Sequence, residues 1–197
     1  MNPVKRSLVL AALALALASA CSPQARATLQ PGDAAPDFTA PAWLAGERFE
    51  YSLADALRDG PGVRYFFPAA NTPGCNIEAA LFSQAIDDFK ARGVSVIGVT
   101  AGNTGQLREF SADKATCAGK FPVAADEGAK IAAGYSAVLE RRPEMSSRTS
   151  YLIGSDGRVL ATHSDMNPAQ HVKRMLEAIP GGSGGIDGDG GTVDGGG

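Results

Sequence analysis

Cysteine is scarce in this chain: Cys21, Cys75 and Cys117 are the only three among 197 residues. No two of them stand as Cys-x-x-Cys, so a dithiol exchange site, in which a nearby second thiol releases a mixed disulfide, cannot form locally. Histidine is scarcer still. His163 and His171 have no cysteine or carboxylate at metal-ligand spacing, which argues against a metal site and against copper handling by paired cysteines and a histidine. Positive charge is not in excess either: 18 Lys and Arg face 21 Asp and Glu, scattered along the chain. The resulting net charge of −3 gives no basic surface for neutralising phosphates, so nucleic acid is not an expected partner. The longest apolar run, Leu8 to Leu17, falls short of the roughly 20 residues needed to cross a hydrocarbon core. With 44% hydrophobic residues, what remains fits one globular domain.

That apolar run follows Lys5 and Arg6 and leads into Ala18, Ser19, Ala20 and Cys21, the layout of a secretory signal over residues 1–20. The Cys directly after small residues resembles the lipobox of bacterial lipoproteins, with Ala18 standing where that pattern usually has Leu. Such a resemblance implies lipidation of Cys21 and a protein exported to the periplasm or cell envelope and held at a membrane. The alternative is ordinary cleavage after Ala20, leaving a free thiol. Two or three acyl chains, at roughly 0.8 kcal/mol per buried methylene, suffice to anchor a soluble domain. Residues 21–30 read as a tether, and residues 181–197, rich in Gly and Asp, cannot bury enough apolar area to offset their ordering entropy.

Residues 31–180 alternate strand and helix signals. Val63 to Phe67 is a buried strand ended by Pro68. Ala79, Phe82, Ile86 and Phe89 recur at threes and fours, which predicts an amphipathic helix after Gly74 that closes at Gly93. Val94 to Val99 is a second buried strand. Asn103 or Thr104 can cap a helix with Leu107 and Phe110 inward, and Gly119 offers its stop. Phe121 to Ala124 reads as a short strand and Ala129 to Gly134 as one or two helical turns. Thr149–Ile153 and Arg158–Thr162 flank Gly154-Ser155-Asp156-Gly157, a hairpin with Asp156 as a turn residue. Pro168 to Ile179 is a closing helix with Val172, Met175, Leu176 and Ile179 on one face. The order predicts an α/β fold, a central mixed β-sheet flanked by helices, and a thioredoxin-like fold satisfies it.

The chemistry concentrates in Pro68-Ala69-Ala70-Asn71-Thr72-Pro73-Gly74-Cys75, between a strand end and a helix start. Cys75 falls in the first helical turn, where unpaired N–H groups and the helix dipole stabilise a thiolate, the nucleophilic form. A buried structural cysteine is the alternative. A Thr and a Pro-Gly turn at a loop–helix junction fit that alternative poorly.

Pro68-x-x-x-Thr72-x-x-Cys75 resembles the signature of peroxiredoxins, and Tyr65-Phe66-Phe67-Pro68 through Glu78 resembles the bacterioferritin-comigratory, or peroxiredoxin Q, branch. Pro31 to Phe38, Gly93 to Val99 and Arg148 to Ile153 extend the likeness, in order, over about residues 31–180. The resemblance implies a thiol peroxidase acting on a hydroperoxide, with no cofactor, a thioredoxin-like thiol reductant, and a monomer or dimer. It implies that Cys75 is the peroxidatic nucleophile and passes through a sulfenic acid. Thr72 is expected to hydrogen-bond the thiolate and peroxide, Pro68 to shield the sulfur, and Arg148 to stabilise the developing charge. Glu78 matches the family too and is read as supporting structure at the helix start.

Many members of that branch carry a second Cys five residues after the first, but position 80 here is Ala. Cys117 is the remaining candidate resolving cysteine, expected near the end of the helix holding Leu107 and Phe110. The spacing Leu107, Phe110, Lys114, Cys117 equally suits an inert residue at the core rim. A disulfide needs Cα atoms within about 7 Å and would require unwinding at Cys75 and at the end of that helix.

Overall fold

The computed structural model describes residues 28–181. The expected signal segment, Cys21, most of the tether and nearly all of the Gly-rich tail lie outside the described residues.

Among the described residues, nine strands and five α-helices follow in order: β1 Thr39–Leu44, β2 Glu47–Ser52, α1 Leu53–Arg58, β3 Gly62–Phe66, α2 Pro73–Ala91, β4 Ser95–Thr100, α3 Leu107–Ala112, β5 Val123–Ala125, α4 Lys130–Gly134, β6 Val138–Leu139, β7 Arg142–Ser146, β8 Thr149–Ile153, β9 Val159–Ser164 and α5 His171–Glu177. Seven strands form one sheet in the order β2-β1-β5-β4-β3-β8-β9. β3, β4 and β5 run parallel, whereas β1–β2, β1–β5, β3–β8 and β8–β9 pair antiparallel. The mixed sheet flanked by helices is the architecture the sequence order predicts.

Both faces of this sheet are buried, which is why its central strands read as continuous apolar runs. Alternation along β3 divides them. Val63, Tyr65 and Phe67 join α2 and α3 residues Phe82, Ile86, Phe89, Leu107 and Phe110 in one core, and Phe66 joins Tyr135, Tyr151 and Leu57 in the other. Tyr65 stacks on Phe82 at 4.4 Å between centroids, and Phe67 stacks on Phe110 at 5.6 Å, so both α2 and α3 are docked by aromatic pairs.

Besides adding α1 and the β6–β7 pair, for which the sequence reading has no element, the structure departs from it in three places. A hairpin of β1 and β2 precedes the first expected strand; Pro41 within β1 weakens a strand signal, and its turn uses Ala45 and Gly46 at φ 51° and 85° in place of Asn-Gly. The helix expected from Asn103 begins as a 3₁₀ turn, Thr104–Gln106, because Asn103 is left-handed and sends its amide to Ala70 O at 2.7 Å instead of capping. That helix also ends at Ala112. Asp113 adopts extended backbone and its carboxylate accepts the Ala115 N–H, an Asx turn that outcompetes another helical turn. Cys117 therefore sits in the following turns, fully buried, and not in a helix.

Candidate active site

β3 delivers the chain into Pro68–Thr72, and that loop is held to the end of β4. Ala69 bridges Gly102, the Ala70 N–H donates to Gly102 O at 3.2 Å, and the Asn71 amide donates to Gln106 Oε1 at 2.7 Å. A Cβ at Gly102 would stand 2.3 Å from Pro68 O, so this approach needs glycine. Thr72 is the N-cap of α2, Pro73 the first helical residue, and Cys75 the third. The first intrahelical bond is Asn76 N–H to Thr72 O at 2.9 Å, which leaves the Gly74 and Cys75 N–H groups without an intrahelical acceptor. The sequence reading placed Cys75 in this first turn, and there it lies, 2% exposed.

Arg148, in the turn between β7 and β8, reaches the sulfur from the other side. Its guanidinium spends its donors in three directions: Nε to Met166 O at 3.0 Å, Nη1 to Glu78 Oε2, and Nη2 to Cys75 Sγ at 3.5 Å. Gly74 makes room, since a Cβ there would meet Nη2 at 3.1 Å. Burial by itself would lower the Arg148 pKa, but Glu78 and the Cys75 sulfur outweigh it and hold the guanidinium more firmly charged. The structure selects Arg148 over Arg141 and Arg142, both exposed.

Thr72 differs from expectation. Its hydroxyl donates to Ala69 O at 2.9 Å, so its hydrogen is spent on the loop and it offers lone pairs to an incoming O–H. Glu78, read as supporting structure, is fully buried beneath Arg148. Burial pushes its carboxyl above the usual range, and Arg148 pulls it partly back.

The two histidines, isolated in sequence, meet in space. Their rings lie 4.6 Å apart edge to face, and His171 is fully buried with Nδ1 at 3.6 Å from Glu78 Oε1. Burial lowers the His171 pKa to about 4. The missed signal was the spacing of four through His171, Met175 and Ile179, which puts this histidine on the inward face of α5.

Cys117 shares the apolar cluster of Cys75, along with Tyr65 and Phe110. Burial, aided by Asp113, pushes its thiol well up, and both cysteines are free. Among the described residues no group of three His, Cys, Asp or Glu could hold a metal ion.

Residues 31–162 match the AhpC/TSA family model. A Mycobacterium tuberculosis protein named as a peroxiredoxin is 28% identical over 152 residues, covering 75% of this chain and 92% of that protein. Peroxiredoxin Q, chloroplastic, of Arabidopsis thaliana is 26% identical over 154 residues, covering 78% and 68%. Among solved structures, peroxidoxin BcpB of Mycobacterium tuberculosis superposes with TM-score 0.67 at 25% identity over 77% of this chain and 96% of that one. The thioredoxin-like fold is thereby shared, and the chain belongs to the AhpC/TSA family, with curated relatives in its peroxiredoxin Q branch.

Proposed function

We propose that this chain is a thiol-dependent peroxidase in which Cys75 attacks the distal oxygen of a hydroperoxide. The observation that carries the reading is the Cys75 sulfur in the first turn of α2, where the Gly74 and Cys75 N–H groups have no intrahelical acceptor, with Arg148 Nη2 at 3.5 Å. These donors are placed to stabilise the charge that develops as the O–O bond breaks. The sulfur is oxidised to sulfenic acid, and the alkoxide or hydroxide that leaves takes up one proton to become an alcohol or water. The Thr72 oxygen accepts the peroxide O–H, and Pro68 covers the sulfur. In the second step the Cys117 thiol displaces water from the sulfenic acid to give a disulfide, which a thioredoxin-like thiol protein reduces. Because Cys117 is fully buried, the Lys114–Gly119 turns must open for that step.

The pattern from Lys5 to Cys21 supports export and attachment by lipid on Cys21. Substoichiometric hydrogen peroxide followed by intact mass tests the chemistry. Wild type should lose two hydrogens, Cys117→Ser should accumulate a trappable sulfenic acid, and Cys75→Ser should not react quickly. A sulfenic acid persisting in wild type would instead assign resolution to an external thiol, and a Cys75 no faster than an ordinary thiol would overturn the peroxidase reading.

A further inference from the structure

Beneath the guanidinium lies an incomplete polar contact. Glu78 Oε2 accepts from Arg148, but Oε1 is shut from solvent with no hydrogen-bond partner. It faces His171 Nδ1 at 3.6 Å. The tautomer of that ring follows from its other contacts: Nε2 lies 2.8 Å from Asp165 O, a pure acceptor, so Nε2 carries the hydrogen and Nδ1 presents a lone pair, which takes the Ser150 hydroxyl hydrogen at 2.8 Å. With an ionised Glu78, Oε1 is closed off from solvent and faces a ring nitrogen that has no hydrogen to give, an arrangement that costs free energy. One added proton, on either atom, makes a hydrogen bond between them as the rotatable Ser150 hydroxyl turns its hydrogen away from Nδ1.

Charge counting points the same way. With the thiolate formed, Cys75 and Glu78 carry two negative charges against the one positive charge of Arg148. A proton shared by Glu78 and His171 makes the buried group neutral, and Arg148 no longer has to divide itself between two anions. We propose that His171 is a positioning residue for the peroxidatic step: it and Glu78 hold one proton between them, and that proton keeps Arg148 directed at the Cys75 thiolate. This rests on the reading of Cys75 as the peroxidatic nucleophile.

The direction of both titrations agrees, since burial raises Glu78 and lowers His171, so the proton resides mainly on the carboxyl. The other groups facing the pair are Arg148 before β8, Cys75 on α2, Tyr65 on β3, His163 on β9, Asp165 in the loop after it and, through His163, Arg174 on α5. Of these the sulfur is the one whose charge changes in turnover. When thiolate becomes neutral sulfenic acid the cluster gains one unit of positive charge and the pair gives up its proton, matching the one the departing alkoxide takes up; reduction back to thiolate draws it in again.

Only two histidines occur in the chain, so ring ¹⁵N NMR of the full protein reads both directly. Expected is a pH-dependent step at His171 that moves to lower pH by about one unit in Cys75→Ser, where the sulfur charge is gone, and that changes form in Glu78→Gln, the energy of one such unit being a tenfold ratio. In stopped-flow reaction with hydrogen peroxide, His171→Leu should lower the rate constant about tenfold at neutral pH and change its pH profile. His171→Asn, whose amide can donate to Oε1, should recover most of the rate without the pH step. A His171 step indifferent to both Cys75→Ser and Glu78→Gln, or a His171→Asn pH profile superimposable on wild type, overturns the proposal. Failure of wild type to react with peroxide would overturn the peroxidase reading instead, while the NMR titration would still decide whether the proton is shared.

Discussion

Cys75 and Cys117 are two buried thiols in one apolar cluster, at 2% and 0% exposure, yet their surroundings differ in every polar respect. Cys75 lies in the first turn of a 19-residue helix and touches a guanidinium. Cys117 lies within a set of turns, its sulfur has no hydrogen-bond partner among the described residues, and it lies near the carboxylate of Asp113, which disfavours its thiolate further. Similar exposure thus does not fix similar chemistry; the polar groups aimed at the sulfur set two buried cysteines apart.

The most drastic way to break the contrast is to delete one thiol at a time. Cys75→Ser should lower the rate constant with hydrogen peroxide at least about a thousandfold, whereas Cys117→Ser should leave that first step within about threefold of wild type, both read by stopped-flow fluorescence. Arg148→Ala makes the surroundings of Cys75 resemble those of Cys117; removing one preorganised donor from a developing anion should cost about 100-fold in the same assay.

Acid sharpens the contrast, because only Cys75 has titrating groups packed beneath it. His171 has a folded pKa of about 4 against an ordinary 6.5, so its contribution to stability is complete above pH 6.5 and is lost as pH falls toward 4. Glu78, raised by burial, acts in the opposite sense: its contribution is complete below the ordinary carboxylate range and fades as pH rises through the raised value. In wild type the two slopes oppose each other between about pH 4.5 and 6.5, where urea unfolding should vary little. Glu78→Gln leaves the His171 slope alone, and its unfolding free energy should fall by about 3 kcal/mol on acidification from pH 6.5 to 4. The smallest effect belongs to Asp113→Asn, which keeps the Asx turn but removes the like charge near Cys117. Alkylation of Cys117 in the folded protein should change less than about threefold, because burial is the larger cause.

Much of this was legible in advance where local pattern and tertiary demand coincide. The β3 run, the threes and fours of α2 and the Asp-Gly hairpin at Gly157, φ 76°, carry their burial and turn chemistry in adjacent residues. The position of Cys75 followed from Pro73 and Gly74 at the helix start. Other features depend on competition that composition does not display. Asp113 could extend a helix or fold back on Ala115, and the choice moved Cys117 out of α3. Glu78 and His171 each looked ordinary alone; they belong to the site because β8 and α5 bring distant segments over the first turns of α2.

Gly102 has no part in the chemistry, yet any side chain there would collide with Pro68 O and Ala69. Its consequence is evolutionary: a random-substitution library selected for survival under peroxide should retain Gly102 almost as strictly as Cys75, although no peroxide ever touches it. Position 102 marks how far from its nucleophile a working loop can impose intolerance on the chain.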